Sequence, residues 1–172
     1  MSFPEERLRT GLPAEEAKQL AHEITRHPDW VQDLLRISSH AKGGTVPRKA
    51  SWVLRHAALC DKSVIQGHGA SILRAVDQST DAIVHRELLK ALLEVPKPEL
   101  EELGEELYEL GLGLCADISL PLAMVHVGVQ LLRASRRPLG EEVAEVWRAR
   151  GARAETAPLG RFLAKQLSSL RT

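Results

Sequence analysis

Aromatic residues are nearly missing from this chain: three Trp, two Phe and one Tyr make up 3% of its 172 residues. Strand patterning is missing too, because no stretch alternates apolar and polar residues over five or more positions. Together these exclude a sandwich or a barrel. Cysteine is scarce: Cys60 and Cys115 cannot form a disulfide framework, and two thiols suit a reducing, cytoplasmic compartment. No apolar run approaches the roughly 18 residues that a membrane span needs. Residues 1–13 carry charges and no apolar stretch, so no secretory signal is expected there. Net charge is missing as well. Lys plus Arg and Asp plus Glu each number 23, with a pI near 7.1, which argues against a nucleic-acid coat or a charged disordered tail.

What remains is enough to build a core: 44% hydrophobic against 27% charged residues, in a length that favours one domain. Helix punctuation dominates. A first helix is expected from Pro13 to just before Pro28, with Ala14, Ala17, Leu20, Ala21 and Ile24 at three- and four-residue spacing. Trp30 to Ile37 reads as a second, and Ala41 to Pro47 as a loop. Helices are then expected over 49–59, 63–76, 81–95, 99–114, 120–134, 141–150 and 158–170, the 81–95 helix capped by Ser79, Thr80 or Asp81. About nine helices leave no room for a sheet, so the fold class is all-α.

The organisation lies in a repeat. Ala50, Val53, Leu54 and Ala57 recur at an offset of about 38 as Leu88, Ala91, Leu92 and Val95, and about 37 further on as Val125, Gly128, Val129 and Leu132. Each set occupies the core stripe of an amphipathic helix, at i, i+3, i+4 and i+7. Tetratricopeptide signature residues are not visible, and the period suits HEAT-like units. The expected architecture is an α-α superhelix of the HEAT-like or armadillo type, a single domain over 1–172. It comprises N-terminal capping helices (1–44), three helix-pair repeats (45–137) and C-terminal capping helices (138–172). The alternative is a nine-helix globule with coincident spacing.

The segment Lys49-Ala-Ser-Trp-Val-Leu-Arg-His56 resembles the first repeat helix of a family of small bacterial HEAT-like or armadillo-type proteins. These have about this length and occur in Bacteroidetes-type genomes. The likeness continues through residues 84–93 and 120–127 to the last helix near Gly160. The resemblance implies a fold and no activity. Some members have carried the name adenylosuccinate lyase, but this chain is too short for that enzyme and lacks its signature loop. Similar members carry a lysine where this chain has Val125, which implies that any function served by that lysine is altered or lost here.

Catalytic patterns are weak. Seven histidines are present, and His56 with Cys60 would share a helix face as two zinc ligands. A tetrahedral site needs two more, and no second pair accompanies them, so Cys60 is read as a small buried residue. His85 and His126 sit in equivalent helices, as the members of an acid–base pair would, though helix-surface or core roles are commoner. Gln66-Gly-His-Gly-Ala70 lacks the Lys-Ser/Thr ending and preceding strand of a phosphate loop, and reads as glycines inside a helix. No nucleophile elbow or zincin motif occurs. No cofactor and no enzyme activity are expected.

Charge is more informative. Residues 94–117 hold eight acids and one base, and residues 133–172 hold nine bases and four acids. Glu102, Glu105, Glu106 and Glu109 would line one face of the 99–114 helix, while the C-terminal arginines offset helix dipoles or hold phosphate. If the helices over 49–59, 82–95 and 121–134 line a groove, Arg48, Trp52, Arg55, Arg86, Lys90 and Arg133 point towards it, and Trp and Arg are hot-spot residues. Trp52 could equally pack against Trp30. The reading is a non-catalytic protein-binding or scaffold module. The alternative is a nucleic-acid-binding protein related in fold to DNA alkylation-repair glycosylases, which a neutral, aromatic-poor chain disfavours.

Overall fold

The computed structural model describes residues 2–9, 13–40, 44–154 and 156–170. Among them are eleven α-helices, one 3₁₀ turn and no strand. No described helix is long and apolar enough to cross a membrane. The chain divides into two compact units, Met1–Glu99 and Leu100–Thr172.

Unit 1 contains α1 (Glu6–Arg9), α2 (Ala14–Ile24), α3 (Trp30–Ser38), α4 (Thr45–Cys60), the 3₁₀ turn (Lys62–Ile65), α5 (Gly69–Gln78) and α6 (Ala82–Leu92). The hub is α4, which packs against α1, α2, α3 and α6. Its buried positions are mostly small: Ala50, Ser51, Ala57 and Ala58 beside Val53 and Leu54. Small residues let four neighbours approach, so the large side chains come from those neighbours. Leu8, Leu20, Ile24, Leu34, Leu88 and Leu92 are fully buried, each contributing about 1.5–3 kcal/mol relative to exposure.

The last helix of unit 1 is fixed at its start. Asp81 accepts hydrogen bonds from the backbone N–H groups of Ile83 and Val84, capping α6. One of the three expected caps is therefore the observed one.

Several expected boundaries are corrected. The 41–47 loop ends earlier, because α4 already begins at Thr45 and takes Pro47 into its first turn, where the missing N–H costs nothing; residues 41–43 lie outside the described residues. The 63–76 helix is broken. Gly67 has φ of 79°, a left-handed conformation that ends the 3₁₀ turn, and α5 starts at Gly69. The glycines are thus a hinge between two elements and not a kink inside one. The Glu99 carboxylate accepts from the N–H groups of Gly67 (2.8 Å) and Gly69 (2.6 Å), so the anion at this helix start belongs to the chain itself.

The 99–114 helix is also two: α7 (Lys97–Glu102), which carries the boundary between the units, and α8 (Gly104–Ala116). The break at Leu103 adjoins Gly104, a poor helix former whose backbone lies against the Ser135 carbonyl. Four-residue α1 has Leu8 as its one apolar residue, too little to show a period.

Unit 2 adds α9 (Leu122–Ala134), α10 (Glu141–Ala152) and α11 (Ala157–Ser169). Its core gathers Tyr108, Cys115, Val125, Val129, Leu132, Val143, Trp147, Leu159 and Leu163. The α8–α9 crossing is set by two glycines. A Cβ on Gly111 would stand 2.8 Å from the Gly128 carbonyl oxygen, and one on Gly128 would stand 2.9 Å from that of Gly111. All twelve positions of the repeated stripe are buried, on α4, on α6 and just beyond it, and on α9.

Candidate functional site

Unit 1 carries a cleft of about 400 Å³ between α4 and α6. One wall is Thr45, Arg48, Lys49 and Trp52, successive turns of α4; the other is Ile83, Arg86 and Glu87 of α6. The two walls meet because α4 and α6 bury their stripes on each other, which leaves the adjacent stripes facing outward together.

Glu87 organises the site. Its side chain is only 3% exposed, yet it occupies a core position of α6. A buried carboxylate needs partners, and it has two. Arg55 donates from Nη1 to Oε2 at 2.8 Å, and Arg86 donates from Nε to Oε1 at 2.9 Å. Burial pushes the Glu87 carboxyl up, but the hydrogen bonds and charges of both arginines outweigh it and hold the group below the usual carboxylate range.

Arg48 is fixed in the same manner, donating from Nε to Asp81 Oδ2 at 2.8 Å. The α6 cap therefore also anchors a cleft residue. Arg48 and Arg86 remain 49% and 42% exposed, so each guanidinium is held at one edge and open at another. Trp52 is half-buried and meets the His56 ring at 4.2 Å. Burial and then the Arg55 charge push His56 below its ordinary value, with Glu87 pulling the other way.

The expected partner residues are thus placed as follows. Arg48, Trp52 and Arg86 line the cleft, and Arg55 lies behind it on Glu87. Lys90 is half-buried one turn beyond Arg86. Arg133 belongs to unit 2, where it donates to Gln166 at 2.7 Å. Trp30 does not share the cleft: it stacks on His27 and meets Phe3 edge-on. Thr45, Lys49, Ile83 and Glu87 are the cleft residues that sequence reasoning missed. A signal existed for Glu87, an acid at i+3 from Val84 in the apolar stripe of α6, next to Arg86.

Other expectations resolve individually. Cys60 is exposed, not buried, because it ends α4 beyond the packed turns. No group of three His, Cys, Asp or Glu that could hold a metal occurs among the described residues. His85 pairs with the Ser79 carbonyl in unit 1, and His126 stacks on Phe162 in unit 2.

The two charge blocks of the sequence meet within unit 2. Arg136 pairs with Glu101 at 2.9 Å, and Arg137 with Glu105 at 2.8 Å while lying over the Tyr108 ring. Arg148 pairs with Glu141, and the buried Arg150 donates to the Leu120 carbonyl. Glu102, Glu105, Glu106 and Glu109 are exposed as expected, but on two helices. Another cleft of about 460 Å³ in unit 1 lies between Arg9, Arg36 and His40.

Comparison with family models, with curated proteins and with solved structures returns no match.

Proposed function

We propose that this chain is a non-catalytic protein-binding or scaffold module built on HEAT-like helix pairs, with the α4–α6 face as its partner surface. The observation that carries the reading is the cleft itself: a half-buried Trp52 between two arginines that the fold already holds in place. Trp and Arg are the side chains most often found at binding hot spots. Ordering a long side chain at an interface costs about 0.5–1.5 kcal/mol, and arginines tied to Asp81 and Glu87 have already lost much of that freedom.

The HEAT-like architecture is supported by the buried twelve-position stripe and by direct packing of α4 on α6, the first two helices that carry it. Two free thiols suit a reducing, cytoplasmic setting. A nucleic-acid role would lean on the C-terminal arginines, and most of these are engaged with groups inside unit 2.

The test is capture from lysate of the source organism with the tagged chain and its Trp52→Ala variant, with and without nuclease. A stoichiometric protein that survives nuclease and is lost on Trp52→Ala is the expected result. Recovery of nucleic acid alone, abolished by nuclease, would overturn the proposal.

A further inference from the structure

The chemistry of the cleft narrows what can occupy it. Arg48, Lys49 and Arg86 line it, Arg48 paired with Asp81 and Lys49 donating to the Leu8 carbonyl, and the one carboxylate in the lining is Glu87. That carboxylate is recessed, and both of its oxygens already accept from arginines. The opening therefore presents an excess of positive charge and no competing acceptor from Glu87. Arg86 engages Glu87 through Nε and Nη2, and Arg48 engages Asp81 through Nε. A guanidinium has five N–H donors, so each has donors left over, aimed from a fixed position. Between them stand Trp52 and Ile83, the latter 39% exposed, an apolar strip on a surface otherwise marked by charge.

We infer, on the reading of this face as a partner surface, that the cleft takes an acidic peptide segment: carboxylates on Arg48 and Arg86, with a large apolar side chain between them laid on Trp52. The volume, about 400 Å³, lies within the roughly 300–1,000 Å³ of clefts that hold ligands. It suits a few residues and not a long polyanion. Nucleic-acid affinity grows with the number of phosphates neutralised, and three cations in one recess on a neutral chain make a short track. An acidic segment needs only two or three charge-assisted bonds and one apolar anchor, which is what the cleft offers.

The test uses the full chain and three labelled probes: a peptide with phenylalanine between paired glutamates, the same peptide with glutamines, and a single-stranded oligothymidylate. Binding is read by anisotropy and by tryptophan emission. Trp30 and Trp147 are buried, so a ligand-induced change belongs to Trp52 and should vanish in Trp52→Phe. The glutamate peptide should bind at least about tenfold more tightly than the glutamine peptide, and Arg48→Gln should remove most of that difference. Arg48→Gln leaves the Glu87 cluster intact, and its melting temperature serves as the folding control.

Equal binding of the two peptides, or a Trp52 response to oligothymidylate alone, would overturn the inference. So would silence from all three probes. If lysate capture is still Trp52-dependent in that case, the partner-surface reading stands and only the acidic occupant fails; if capture fails too, both fall.

Discussion

Replacing Gly128 by Ala puts a methyl group where the α8–α9 crossing has no room for one. The added Cβ would lie 2.9 Å from the Gly111 carbonyl oxygen and 3.0 Å from both Cys115 Sγ and Leu114 Cβ. The Gly111 oxygen is backbone and Leu114 Cβ is bonded directly to the backbone, so the helices themselves must part, over a contact that buries Leu107, Val125, Val129 and Leu132. Overpacking of this kind costs about 1–3 kcal/mol or more. Against it stands the helix-propensity gain of Ala over Gly, about 1 kcal/mol. Because the added Cβ meets backbone on the facing helix, the cost falls at the upper end of that range, and the net is a loss of about 1–2 kcal/mol, or about 2–8 °C in Tm for a chain of this size. Gly113, on α8 itself, supplies the control. It is exposed, a Cβ there would meet nothing within 4 Å, and Gly113→Ala should gain up to about 1 kcal/mol. Thermal and urea denaturation followed by far-UV circular dichroism measures both variants. The same substitution should have opposite signs at the two positions. A Gly128→Ala protein as stable as the wild type would refute the close crossing.

Three further outcomes follow from the site and the thiols. Glu87→Gln leaves Arg55 and Arg86 without their counter-charge and should cost about 2–3 kcal/mol at neutral pH, below the full cost of breaking a buried pair because both arginines are partly exposed. Since the Glu87 carboxyl is held below its ordinary value, its contribution is fully present above the unfolded value of about 4.3 and is lost as pH falls through the folded value. The gap between wild type and variant in urea titrations should therefore narrow on acidification, and a constant gap would contradict the pairing. Asp81→Ala should cost about 1 kcal/mol through loss of the α6 cap, and Asp81→Asn, which keeps an acceptor, clearly less; equal losses in denaturation midpoint would place the effect in the Arg48 pair instead. A thiol reagent should titrate one equivalent in the native protein, at exposed Cys60. Cys115 is fully buried, and burial pushes its thiol up to about 11, so a second native equivalent would contradict the packing of unit 2.

Helix content and the repeated stripe were legible because both are periodic. Twelve positions chosen for spacing alone are all buried, and the 30–37 and 141–150 helices fall within a residue or two of α3 and α10. What escaped was set by single residues or by neighbours distant in sequence. Gly67 breaks the 63–76 helix through its own backbone angle, and a propensity window averages one residue away. The Ser135 carbonyl that lies beside Gly104, at the α7–α8 break, comes 31 positions downstream.

The site divides along the same line. Arg48, Trp52 and Arg86 follow from helix faces, so spacing brings them together. Glu87 does not: an acid in a core stripe is tolerated only because Arg55, 32 residues earlier, reaches it from α4. Arg133 lies on α9, in unit 2, where it donates to Gln166. Charge blocks were visible as composition, but their mutual pairing through Arg136 and Arg137 required the fold.

The central claim is that partners dock on the α4–α6 face, and a photo-crosslinking side chain placed at Ile83 in living cells tests it most directly. Ile83 lines the cleft and is exposed, while Ile118, 52% exposed in unit 2, serves as the comparison site. The expected result is a discrete protein adduct from position 83 that disappears with Trp52→Ala and does not form from position 118. Adducts from position 118 alone, or adducts from position 83 that consist of nucleic acid, would contradict it.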